Sequence, residues 1–257
     1  MSHAKAQHIV LAAVMGIGLF LGGPARSADA GLLTYEPFDY TSGWITEQGT
    51  QLASTADFGF DGDWQKWSGG DGEMDALAED NLTYSTLETA GGLMLNSKVK
   101  TKWRNAIRKL DSSVLATFNQ ASGDTTYISW LARGEGFRFN TLALTTADDA
   151  VANGPDAGLA NIGRAWQEQP RYTIDGDLNG TGDSGVAVDN DTHLFVLKIT
   201  WGVAGTPDDD RLDLYLDPDP AAAEPAAADA YLSGKELEAF DGFFFRARPR
   251  HHRAIRW

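Results

Sequence analysis

Three stretches of this chain have the residue types and spacing for chemistry. Asp175-Gly176-Asp177-Leu178-Asn179-Gly180-Thr181-Gly182-Asp183 sets Asp175, Asp177, Asn179 and Asp183 at positions one, three, five and nine of a calcium loop. There, side-chain oxygens converge on a hard cation around a glycine turn. The second half departs from the pattern, with Gly182 at the eighth position and Val186 at the twelfth, where a bidentate glutamate is needed. Asp189 or Asp191 could complete the set in another geometry. The alternative is an Asx/Gly-rich turn between strands near Tyr172 and His193, and the missing twelfth ligand favours it. Calcium is the one cofactor the sequence suggests.

Glu73-x-Asp75-x-x-x-Glu79 offers carboxylates that could serve as nucleophile and acid/base in glycoside hydrolysis if they shared one strand face. The sequence around them, Gly69-Gly70-Asp71-Gly72 before and Asp80-Asn81 after, reads as a solvated acidic loop. Gly182-Asp183-Ser184-Gly185 has the form of a serine nucleophile turn, but a serine needs a base. Outside the two ends of the chain the only histidine is His193, inside a strand pattern and better read as a strand residue with a satisfied hydrogen bond. One such histidine and no cysteine cannot supply a zinc site either. No catalytic residue is nominated.

The chain has 8 tryptophans. Trp64 and Trp67 lie in Gly59-Phe60-Asp61-Gly62-Asp63-Trp64-Gln65-Lys66-Trp67, and Trp166 also sits among polar residues. An exposed indole offers a flat apolar face to the CH face of a sugar while nearby acids and amides hold its hydroxyls. These three are the candidate ligand-binding residues, against the alternative that tryptophans plug a core, as Trp130 and Trp201 are expected to do.

The elements that must position such residues are strands. In Arg211-Leu212-Asp213-Leu214-Tyr215-Leu216-Asp217 the leucines fall on one face and Arg211, Asp213 and Asp217 on the other. Tyr127 to Ala132 and His193 to Trp201 are more apolar throughout, as in central strands covered on both sides. Phe137 to Leu144, Leu93 to Leu95 and Phe243 to Phe245 are further strand candidates, separated by stretches rich in Gly, Asp, Asn, Thr and Pro. Trp103 to Leu110 is expected to make a short helical turn. Ala221 to Leu232 is alanine-rich, but with Pro218, Pro220 and Pro225 it reads as an extended loop.

Residues 1–30 have the parts of a signal peptide: Lys5 near the start, an apolar stretch from Ile9 to Leu21, and Ala28-x-Ala30 as cleavage signal. The apolar stretch is shorter than the ~20 residues of a bilayer span. The mature chain is therefore expected to be secreted, periplasmic or at the cell surface, without a transmembrane segment. The net charge of −15 disfavours nucleic acid and anionic lipid as partners. With no cysteine, stability must come from a hydrophobic core or a metal, and residues 31–245 suffice for one β-sandwich.

Several phrases occur together in order: Leu33-Thr34-Tyr35-Glu36-Pro37-Phe38-Asp39-Tyr40, Asn81-Leu82-Thr83-Tyr84, Thr89-Ala90-Gly91-Gly92-Leu93, Thr126-Tyr127-Ile128-Ser129-Trp130-Leu131-Ala132-Arg133, Asn161-Ile162-Gly163-Arg164 and Thr192-His193-Leu194-Phe195-Val196-Leu197-Lys198-Ile199. Between about Leu33 and Phe245 the chain thus resembles secreted bacterial proteins with a concanavalin A-like, or laminin-G-like, jelly-roll domain, a group related to surface-sorted Pro-Glu-Pro proteins. The resemblance implies an all-β, two-sheet antiparallel jelly-roll sandwich and a lectin-like module that binds an extracellular glycan. A glycoside hydrolase or polysaccharide lyase on the same fold, or an adhesive protein that holds a surface protein, remain alternatives. Such domains usually close with one more strand, whereas residues 246–257 carry Arg246, Arg248, Arg250, Arg253 and Arg256. This basic tail is expected to be foreign to the fold, loosely packed and dispensable.

Overall fold

The structure is a computed structural model. It describes residues 9–12, 33, 34, 36, 43–44, 59–65, 72–73, 75–77, 82–85, 87, 93–95, 104–117, 123–134, 137–153, 158–164, 170–175, 182–189, 191–203, 209–237 and 240–249. In chain order the strands are β1 (Ile9–Ala12), β2 (Gly43–Trp44), β3 (Phe60–Gln65), β4 (Gly72–Glu73), β5 (Asp75–Leu77), β6 (Leu93–Leu95), β7 (Arg104–Leu110) and β8 (Thr125–Gly134). They continue as β9 (Phe137–Thr145), β10 (Gly158–Arg164), β11 (Arg171–Ile174), β12 (Asp183–Ala187), β13 (Thr192–Thr200), β14 (Asp210–Leu216), β15 (Ala230–Lys235) and β16 (Gly242–Pro249). Two short helices, α1 (Ser112–Leu115) and α2 (Ala147–Asn153), complete the described elements.

The strands form two sheets, ordered β15-β14-β13-β8-β1-β6-β5-β2 and β12-β11-β10-β9-β16-β7-β3. All the pairs along these two orders are antiparallel; the two-residue contact of β4 with β7 is parallel. This is the expected all-β, two-sheet sandwich. Alternation does the sorting. In β14 the side chains of Leu212, Leu214 and Leu216 are buried in the core between the sheets, as their period of two predicts. From β13 the same core receives Phe195, Leu197 and Ile199, and from the other sheet Ile162, Tyr172, Ile174, Phe243 and Phe245. Phe195 stacks on Trp130 at 5.1 Å and meets Tyr172 edge-on at 5.1 Å, so one ring ties the two sheets together.

The second sheet is also covered on its outer side. Phe244, Ile107 and Ala143 point that way and lie under Ala147 and Ala150 of α2. Close approach there demands glycine at 242, because a Cβ would fall 2.7 Å from the Arg108 carbonyl oxygen and 2.9 Å from the Ala147 Cβ.

Three segments differ from the sequence reading. Residues 104–110 of the expected helical turn form strand β7, because its alternation of Ala106 and Leu110 inward with Ile107 outward suits a sheet covered on both faces. Ile9–Ala12, within the segment read as a leader, pairs as β1 with both β8 and β6. The basic tail does not begin after Phe245. Arg246, Ala247, Arg248 and Pro249 continue β16, which lies between β9 and β7 and pairs with both, Arg246 opposite Asn105 on one side and Thr141 on the other. The Phe243–Phe245 strand candidate is thus part of a longer strand in the middle of the second sheet; residues 250–257 lie outside the described residues.

Deleting residues 246–257 thus removes half of a central strand with its ladder on both sides. Total stability of a domain is only ~5–15 kcal/mol, so the truncated chain is expected to lose its cooperative urea-unfolding transition, as followed by tryptophan fluorescence.

Candidate functional site

The outward face of the first sheet carries the most developed site. Register sets Tyr127 of β8 opposite Lys198 of β13, Ser129 opposite Val196 and Leu131 opposite Leu194. On the other side of β13, Val196 faces Tyr215 and Lys198 faces Asp213 of β14. Because the intervening residues fill the core, these positions must point away from it.

After β14 the chain turns back over this face. Asp217, with φ of 53°, makes the turn. Residues 218–229 then run without strand pairing, consistent with Pro218, Pro220 and Pro225. Between this loop and the strands lies a groove of about 260 Å³ with Leu194, Val196 and Leu87 on one side and Pro218, Ala222 and Ala223 on the other. Leu82, Tyr84 and Leu87 extend the apolar floor by packing with Leu131, Leu194 and Val196.

Glu224 closes the groove. Its Oε1 accepts hydrogen bonds from the Tyr215 hydroxyl at 2.7 Å and Lys198 Nζ at 2.7 Å, and its Oε2 accepts from the Tyr127 hydroxyl at 2.8 Å. Lys198 also lies 5.8 Å from the Tyr127 ring centre. Burial pushes the Glu224 pKa up, but the hydrogen bonds from Lys198, Tyr215 and Tyr127 outweigh it and hold the carboxyl below its usual range. For Lys198 burial acts downward and the Glu224 bond prevails, raising it. Burial, then the Glu224 bond, raises both Tyr127 and Tyr215. Each shift fixes a group in its ordinary protonation state, which suits a binding wall better than proton transfer near neutral pH.

On the core side of β13, near its start, buried His193 bridges two carboxylates. Its Nδ1 lies 2.6 Å from Asp217 Oδ2 and its Nε2 2.8 Å from Asp189 Oδ1. The other oxygen of Asp217 accepts the Leu194 N–H at 2.9 Å. Tyr172 meets the imidazole edge-on, and Tyr84 hydrogen-bonds Asp217, its hydroxyl pushed up to about 12 by burial and that carboxylate. Burial lowers the His193 pKa, but the bonds to Asp217 and Asp189 and their charges carry it to about 9. The histidine is thus a charged strut between β13, the loop before it and the turn after β14. Among the described residues no nucleophile is aligned on it: the Ser184 hydroxyl donates to the Tyr172 carbonyl at 2.7 Å and accepts the Val186 N–H at 3.1 Å.

No protein-family model, curated protein or solved structure matches this chain.

The structure relocates several sequence candidates. Trp64 is 2% exposed, packs on Phe245 at 5.7 Å and lies beneath the Arg108 guanidinium. It has no face to offer a sugar and is a core residue. Trp67, Trp166, Asp177, Asn179 and Glu79 lie outside the described residues. Asp175 and Asp183 flank the loop that joins β11 to β12, where the Ile174 N–H donates to the Gly182 carbonyl. Asp175 is ion-paired with Lys235 of β15, which links the edges of the two sheets. Asp183 accepts from Arg171 at 3.0 Å and from the Gly185 N–H at 2.8 Å. Both carboxylates therefore already face cations or N–H donors. Glu73 and Asp75 belong to β4 and β5, which pair in different sheets, so they do not share one strand face.

The sequence reading missed Glu224, Tyr127, Tyr215 and Lys198. The signal for the last three was a polar or amphipathic residue at an outward position of an otherwise apolar strand; Glu224, on a loop, had none.

Two outcomes follow. The His193 pKa is above its unfolded value of ~6.5, so its contribution is complete below that pH and is lost as pH rises through about 9. The loss amounts to at most ~3 kcal/mol. Urea midpoints measured between pH 6 and pH 10 should show this decline in the native chain and not in His193→Gln. Because Asp175 and Asp183 are engaged by Lys235 and Arg171, the melting curve in chelator should match that in calcium.

Proposed function

We propose that this protein is an exported, non-catalytic, lectin-like binding module, and that a glycan is its ligand, held in the groove under residues 218–229. The observation that carries this reading is the groove itself. Its floor of Leu194, Val196 and Leu87 is apolar, while Ser129, Asp219 and Glu224 supply a few polar groups at its walls. A sugar ring has the matching chemistry, an apolar CH face flanked by hydroxyls. The mutual pairing of Glu224, Lys198, Tyr127 and Tyr215 supports binding over catalysis, since none of these groups is held at a pKa useful for moving protons near neutrality. The sandwich fold agrees with the reading without requiring it.

A glycan array probed with the purified chain tests it. The native protein should retain a restricted set of glycans. Ala223→Trp, which fills the groove from an exposed loop position, should lose them by about ten-fold or more while melting at an unchanged temperature. A protein that retains no glycan, or a variant that binds as well as the native chain, would show the reading to be wrong.

A further inference from the structure

We infer that Lys198, Tyr127 and Tyr215 form a carboxylate-binding site that Glu224 fills from within the chain, and that the glycan of the groove is acidic, its uronate taking the place of Glu224. This rests on the groove reading above and narrows its ligand class.

The asymmetry between donors and acceptor is the main argument. The three donors stand on three adjacent strands, β8, β13 and β14, whose register fixes their spacing. Tyr127 and Tyr215 are also buried, so their hydroxyls are held by packing. Such placement on rigid elements preorganises a site. The acceptor sits instead on a loop without strand pairing, among exposed alanines on both sides, Ala221 to Ala223 and Ala226 to Ala227.

Charge points the same way. Asp213, the cross-strand neighbour of Lys198, is engaged by Arg211 through bonds of 2.7 to 3.1 Å. The Lys198 ammonium is directed to Glu224 instead, at 2.7 Å. One cation and two hydroxyls converging on two oxygens match the charge and hydrogen-bonding needs of a carboxylate.

The loop can yield at its middle while its ends hold. At its start Asp217 is fixed by His193 and the Leu194 N–H, and at its end Asp229 accepts the Leu216 N–H at 2.7 Å. Displacing Glu224 therefore breaks three side-chain bonds and no strand ladder. A tethered carboxylate competes as though present at about millimolar concentration or above. A simple carboxylate cannot outcompete it, whereas a uronide that also seats its ring on Leu194 and Val196 can.

The test uses the full chain, native and Glu224→Ala, titrated by NMR with acetate, with oligogalacturonate and with neutral galacto-oligosaccharide. Acetate should shift the Tyr127, Tyr215 and Lys198 signals in Glu224→Ala only. Oligogalacturonate should bind both forms, tighter by about ten-fold or more once the internal competitor is gone, and Lys198→Met in the same background should remove both responses. If Glu224→Ala does not fold, Glu224→Gln, which keeps the shape and drops the charge, should show a smaller gain in the same direction. A folded variant that ignores acetate, or that binds uronide no better than the native chain, overturns the inference. Equal binding of neutral and acidic oligosaccharides overturns it alone and leaves the groove reading standing; loss of all glycan binding overturns both.

Discussion

The period of two in β13 is the constraint on which the rest of this molecule depends. Phe195, Leu197 and Ile199 point between the sheets, where they share one core with Tyr172, Ile174 and Phe243. That choice sends Leu194, Val196 and Lys198 to the other face and so lays out the floor of the groove and its cation in one step. A slip of one residue would put the Lys198 ammonium in the core and the three apolar side chains in solvent. Core and site are thus two sides of one strand, and neither can be altered in register without the other.

Acidic composition has a structural use here beyond surface charge. Buried Asp210 accepts the N–H groups of Gly202 and Leu237 at 2.9 and 3.0 Å, and Asp241 accepts that of Ala147 at 2.6 Å at the start of α2. Asp217 and Asp229 do the same at the two ends of the loop over the groove. In a chain without cysteine, these carboxylates do what cross-links do elsewhere: they fix where irregular segments leave and rejoin the sheets. Each also satisfies backbone donors that would otherwise be desolvated without a partner.

How much of this was legible follows from what each element needed. β14 was readable because its side chains alternate, and β8, β13 and β9 because each is a largely apolar run bounded by turn-forming residues. β7 was misread since Arg104 to Leu110 packs on both faces, which blurs the period of two, and Arg108 stands where an apolar residue would have declared it. The second half of the final strand, Arg246 to Pro249, was misread for a similar reason. Its arginines mark it as foreign by composition, whereas strand membership is decided by pairing with β7 and β9, which no local pattern reveals. For the site, the tryptophans misled because an indole near glycines can be core as easily as surface, and Trp64 is core. Glu224 was invisible: it lies in an alanine- and proline-rich loop, and only the path of that loop across β8, β13 and β14 brings it to its three donors.

The position of β16 in the sheet has a consequence in time. Its two neighbours are made long before it, β7 at Arg104–Leu110 and β9 at Phe137–Thr145, against Gly242–Pro249 for β16 itself. At ~5–20 residues per second of synthesis, β9 waits on the order of 5–20 s with one edge open and its leucines uncovered. During that interval the nascent chain is a binding partner for anything that shields extended apolar segments, and an easy cargo for any machinery that moves chains unfolded.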